Sequence, residues 1–243
     1  MRVPGNGFYS GCRDALPVVL GYLPIAVAYG ILARQAGIPP HMTVFMSVMV
    51  FAGSSQFIGV SMIAGGASWG VIVMTTFLVN LRHLLMSASL SPYFKKFSRR
   101  WLPLLAFGLT DETFAVAGTV FRQGPRDEKY VFGLQLTAYL SWVGGSLAGA
   151  LVGGSFTAAA SLGLEFVLYA MFISLLVAQI TDRRMLFAAL FSGGAAMLGA
   201  RFLPGHWYII LATLLGATLG VVMEDGRKLF APLSGDGPGD LSS

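Results

Sequence analysis

The stretch "TTFLVNLRHLLMSASLS", Thr75 to Ser91, sets an arginine and a histidine, Arg82 and His83, in the middle of a run otherwise apolar enough to cross a membrane. A charge at the centre of a bilayer costs at least about 2.5 kcal/mol. Such a residue persists where it faces a polar interior and meets a partner. The stretch therefore predicts a helical membrane protein with a polar site at mid-depth.

The rest of the chain agrees. Of its 243 residues, 55% are hydrophobic and only 11% are charged, where soluble domains carry about 25% charged residues. The mean hydropathy is +0.71. The net charge of +5 is not a nucleic-acid signature, because Lys and Arg cluster in short links between apolar runs, where orientation signals belong. The single cysteine, Cys12, excludes an internal disulfide framework. The first apolar run lacks a small-residue cleavage site and reads as a membrane helix, not a removed leader.

About eight apolar segments are legible, at roughly 15–34, 42–66, 68–91, 101–121, 130–153, 162–180, 185–201 and 206–223. Their length suits spanning helices, and they lack the alternation of barrel strands. The predicted fold is all-α: a polytopic helical membrane protein forming one transmembrane domain over 1–225. A Gly/Pro/Ser-rich tail over 226–243 should be disordered. No internal repeat is apparent. Gly145-x-x-x-Gly149, Gly149-x-x-x-Gly153 and Gly216-x-x-x-Gly220 suit close helix packing.

Topology poses a conflict. "KKFSRR" (Lys95 to Arg100) and "RQGPRDEK" (Arg122 to Lys129) should both face the cytoplasm. Eight plain spans put them on opposite sides. The conflict resolves if two of segments two to four are broken or re-entrant, leaving six full spans with both ends inside. Discontinuous helices are tolerated where they line a polar cavity. Eight spans with one basic loop outside remains the alternative.

Three polar stretches fall near the centres of segments two, three and four: "FAGSSQF" (Phe51 to Phe57), "NLRH" (Asn80 to His83) and "GLTDETF" (Gly108 to Phe114). If the segments sit symmetrically, all three meet at the midplane. The candidate site residues are Gly53, Ser54, Ser55, Gln56, Asn80, Arg82, His83, Thr110, Asp111 and Glu112. Asp111 and Glu112 are adjacent, so on a helix they point about 100° apart and should not share one narrow cavity. A carboxylate in a dry site holds a proton more readily, which suits proton coupling. Either carboxylate could pair with Arg82, as a gate or as a structural tie. Arg82 could instead bind a substrate carboxylate through both arms of its fork. His83 could carry protons or serve structure. Gly53 to Gln56 could break a helix and expose amides to an anionic group. Phe51, Phe57, Met49, Met62, Met74, Met86 and Phe114 could wall an apolar pocket.

Catalytic readings are weak. "AGSSQ" is not a nucleophile elbow, His41, His83 and His206 lack metal-ligand spacing, and no P-loop is present. No cofactor is indicated. A channel stays open as an alternative, and an intramembrane hydrolase as a more remote one.

At these residues the chain resembles a known family. "ALPVVLGYLPIAVAYGILARQAG" (Ala15 to Gly37), "VFAGSSQF" (Val50 to Phe57), "TTFLVNLRHLLMSASLSPY" (Thr75 to Tyr93) and "LLAFGLTDETFAV" (Leu104 to Val116) are, in that order, similar to the AzlC family. Members are large subunits of bacterial branched-chain amino acid exporters. The resemblance implies export of valine, leucine and isoleucine, with methionine, across the inner membrane. It also implies proton-linked secondary transport and a small hydrophobic AzlD-type partner subunit. It assigns no role to any single residue.

Overall fold

The structure is a computed structural model and describes residues 7–154, 182–202 and 207–230, with single positions between 166 and 180. The chain divides into two compact units, Met1–Leu175 and Leu176–Ser243.

In the first unit, a short helix α1 (Gly7–Asp14) leads into α2 (Leu16–Gln35). Pro17 lies in the first turn of α2, where a missing N–H costs nothing. Next come α3 (Pro40–Val50), α4 (Gly53–Ala64) and α5 (Trp69–Leu90), the last prolonged by a 3-10 turn over Ser91–Phe94. Then follow α6 (Leu102–Phe107), α7 (Asp111–Gln123) and α8 (Glu128–Val152). Segments two and four are thus each broken in the middle, while segment three runs unbroken through Arg82.

Both broken segments fold back on themselves. The Tyr29 hydroxyl reaches the Thr43 carbonyl of α3 at 3.3 Å, while its ring meets that of Phe57 on α4 at 5.6 Å. Thr43 and Phe57 are fourteen residues apart, about 21 Å along a continuous helix, so one tyrosine touches both only if α3 and α4 form a hairpin. At the other hairpin, Trp101 just before α6 packs on Phe132 near the start of α8 (5.3 Å), and Phe121 near the end of α7 packs on Tyr93 (5.0 Å). Both ends of this second hairpin therefore lie at the same end of the unit.

This geometry puts "KKFSRR" and "RQGPRDEK" on one side, as the discontinuous reading requires, the side for which the positive-inside rule predicts the cytoplasm. The α3–α4 hairpin enters from the opposite side, where α2 ends and α5 begins. The two tips meet halfway along α8: Phe51 at the first tip and Phe107 at the second both pack on Tyr139, at 5.0 and 5.9 Å, and on each other at 6.3 Å.

Helix α8 is the pillar between them. At 25 residues it extends about 37 Å. Its Gly145, Gly149 and Gly153 lie against α2, where a Cβ on Gly149 would come within 2.8 Å of the Val27 carbonyl carbon. The glycine stripe thus serves packing within the chain. On length and composition, α2, α5 and the helix over Arg183–Phe202 stand out as apolar enough to span. α8 is buried against the protein along much of its length, from Tyr130 to Ala150.

In the second unit, α9 (Arg183–Phe202) and α10 (Trp207–Phe230) run antiparallel, with Arg184 Nη1 donating to the Met223 carbonyl at 3.2 Å. α10 runs past Gly226, where the tail was expected to begin. The residues around that glycine are good helix formers, and one interior glycine costs only about 1 kcal/mol. The remainder of the tail, 231–243, and most of segment six lie outside the described residues.

Candidate functional site

At the first tip the chain leaves α3 through Phe51, whose φ of 43° is left-handed, a conformation unfavourable for a bulky side chain and indicative of local strain. Phe51 is held there by rings: Tyr22 lies edge-on at 6.5 Å, besides Phe107 and Tyr139. α4 then begins at Gly53. A Cβ there would come within 2.7 Å of the Trp142 ring, so only glycine allows the tip to seat against α8. No side chain caps this helix, since its N-cap is Ala52, and its first amides face the tip without a side-chain acceptor.

At the second tip the chain is pinned differently. Thr110 and Thr113 form a reciprocal capping box at the start of α7, with the Thr113 hydroxyl accepting from the Thr110 amide at 2.9 Å. Asp111 and Glu112 fill the first turn, where negative charge suits the helix dipole. From behind, Gln135 of α8 donates to the Leu105 carbonyl at 2.9 Å, fastening the incoming half of the hairpin.

Arg82 of α5 joins the two tips. Its Nη1 pairs with the Asp111 carboxylate at 2.7 Å, and its Nη2 donates to the Ser54 hydroxyl. Nε is buried without a partner. Both side chains of the ion pair keep about a quarter of their surface open, 24% and 25%, so the pair borders a space and is not sealed in a core. On the far wall the Tyr22 hydroxyl, buried in α2, donates to Glu112 at 2.6 Å and lies equally close to the Thr110 hydroxyl.

These groups surround one narrow cavity of about 30 Å³. Gly53, Ser54, Arg82, His83, Thr110, Asp111 and Glu112 line it, together with Tyr22, Ile25, Phe51 and Trp142. Residues from all three polar stretches line this one cavity. Three of the candidates do not reach the cavity. Gln56 is consumed by structure, donating to Ser47 at 2.9 Å and accepting from the Trp142 indole at 3.0 Å. Ser55 donates to Asn80 at 2.6 Å on the other side of the α4–α5 contact.

Two expectations are overturned. Asp111 and Glu112 both border the same cavity, although they diverge around the helix. The cavity sits off the end of α7, not beside it, and first-turn side chains flare around that end. Of the residues expected to wall an apolar pocket, Phe51 lines this cavity and the methionines do not. Met49 and Met74 are exposed, Met62, Met86 and Phe57 are buried in packing, and the apolar lining comes from Ile25, Phe51 and Trp142. Tyr22 and Trp142 were missed in the sequence. Their one signal is a polar-tipped aromatic near the middle of an apolar run.

The sequence model described as AzlC protein matches residues 17–156, a stretch that contains both hairpins, Arg82 and α8. An inner membrane protein of Escherichia coli, YgaZ, is 34% identical over 224 residues, covering 89% of each chain. A Bacillus subtilis relative named branched-chain amino acid transport protein AzlC is 30% identical over 216 residues, covering 88% of this chain and 84% of its own. An uncharacterized membrane protein of Archaeoglobus fulgidus is 31% identical, covering 87% and 93%. No solved structure matches the chain. With its four characteristic stretches folded around one central cavity, this multi-pass membrane protein belongs to the AzlC family of transport proteins.

Proposed function

We propose that the chain is the large subunit of a secondary transporter that exports branched-chain amino acids, not an enzyme, and that the cavity between the hairpin tips holds the substrate. The observation that carries this reading is the opposite chemistry of the two tips on one cavity. An amino acid has a carboxylate and an ammonium a few ångströms apart. The uncapped amides of α4, with Ser54 and Arg82, suit the carboxylate. Glu112 and Asp111 at α7 suit the ammonium. Ile25, Phe51 and Trp142 offer an apolar face for an aliphatic side chain. The name of the Bacillus subtilis relative points to the same substrates.

Transport then follows from competition. A bound carboxylate draws Arg82 from Asp111, and a bound ammonium displaces Tyr22 from Glu112. A proton taken up by a freed carboxylate weakens the ammonium contact and favours release, which couples export to protons. A small hydrophobic subunit of the AzlD type, as the family resemblance implies, completes the exporter in the bacterial inner membrane.

The test is efflux of labelled leucine from bacteria expressing the chain with and without such a partner. Efflux is expected to need the partner and to vary with pH. Glu112→Gln should remove the pH dependence, and Asp111→Asn should lower the rate at every pH. If neither substitution changes the rate or its pH profile, the carboxylates do not couple transport and the mechanism is wrong.

A further inference from the structure

A second, open-sided space of about 610 Å³ lies between the α3–α4 hairpin and α5. Its outer end is bordered by Ala36 to Pro39 and Trp69, the end of α2 and the start of α5. That is the side away from both basic loops. Its walls are apolar, with Met42, Met46, Ile63 and Ile72 among them. Its inner end turns polar, at Thr76, Ser55 and Asn80.

That polar end backs onto the central cavity. Ser54 and Arg82 line the cavity, whereas Ser55 and Asn80 line the outer space. The α4–α5 contact is therefore a partition, and the Ser55–Asn80 hydrogen bond of 2.6 Å fastens it. The path matches the substrate class proposed above. An aliphatic side chain moves along apolar walls, while the charged head passes hydroxyls and an amide last held near Arg82.

We infer that this groove is the outward exit path of the transporter and that the Ser55–Asn80 pair is its gate. The inference rests on the exporter reading for the identity of the cargo but not for the existence of the path. Glycine 59 supplies a clean probe. It lines the groove, and a Cβ there would meet only the Met46 methyl group, at 3.9 Å. The first carbon of a side chain at this position therefore enters without striking backbone.

The experiment uses the full chain in cells with Cys12→Ser as background. Gly59→Trp is expected to lose leucine efflux while the purified protein still binds leucine. Thr76→Cys is expected to react with a membrane-impermeant thiol reagent added outside, and Asn80→Ala should let the same reagent reach Ser54→Cys. Efflux at the parental rate in Gly59→Trp would overturn the inference. So would a Thr76→Cys that resists the external reagent, since the groove would then hold lipid or another helix. If the parent chain neither binds nor exports leucine, the substrate reading fails, and the thiol experiment alone decides whether the path exists.

Discussion

The two hairpin tips are built to the same plan and finished in opposite ways. Each is a break in a membrane segment, each restarts a helix toward the protein surface, and each aims that helix's N-terminus at one cavity. At α7 the exposed amides are answered by Thr110 and Thr113 and by an acidic first turn. At α4 nothing of the kind is present: the N-cap is Ala52 and the first turn holds no acid. A helix start normally gains about 1 kcal/mol from a cap, so a chain that omits one at a buried tip forgoes stability there. The closed tip is a finished structural element that presents negative charge. The open tip presents donors with no acceptor, which is what an incoming carboxylate requires.

Substitutions can break or sharpen this contrast. The largest effect is expected from Arg82→Gln, which removes a charged link between the two tips, through Asp111 and Ser54. Efflux should be lost, and the melting temperature of the purified protein should fall, since a charged hydrogen bond is worth about 1.5–3 kcal/mol. Arg82→Lys should not restore efflux, because an ammonium cannot reproduce the fork that spans two partners. Next is Gly53→Val. The added carbon meets the Trp142 ring, and overpacking of this kind costs about 1–3 kcal/mol. Denaturant or thermal unfolding of the detergent-solubilised protein reads that loss. A smaller effect belongs to the closed tip: Thr110→Ala removes half of the capping box and should cost about 1 kcal/mol, with Thr110→Ser largely restoring it. If Thr110→Ala abolished efflux without lowering stability, the second tip would be more than a finished element.

Much of this arrangement was legible in the residues, and the reason is the cost of polarity in lipid. Arg82 could be placed at a buried site because no lipid-facing position tolerates it. That two of segments two to four fold back was legible because "KKFSRR" and "RQGPRDEK" had to share a side; which two was not, and the breaks fall beside Gly53 and Gly108. What stayed hidden depends on direction, not depth. Gln56 looked as suitable as Ser54, yet on the folded tip it turns back to Ser47 and Trp142. Ser55 and Asn80 lie one and two residues from cavity-lining groups but face the other side of a helix contact. Tyr22 and Trp142 were invisible because an aromatic side chain in an apolar run reads as packing until its hydroxyl or indole is seen to have a polar partner. Asp111 and Glu112 do diverge as helical geometry requires, but the cavity they share lies off the end of α7 and not along its side.

The contrast between the tips reduces to one residue, Ala52. Ala52→Asp supplies the missing cap and a negative charge where a substrate carboxylate is proposed to sit. The decisive measurement is equilibrium binding of labelled leucine to the purified Ala52→Asp protein beside the parent chain, with thermal melting of both. The expected result is a variant that melts at the same temperature or higher and no longer binds leucine. Undiminished leucine binding by a well-folded Ala52→Asp protein would contradict the assignment of the open tip as the carboxylate site.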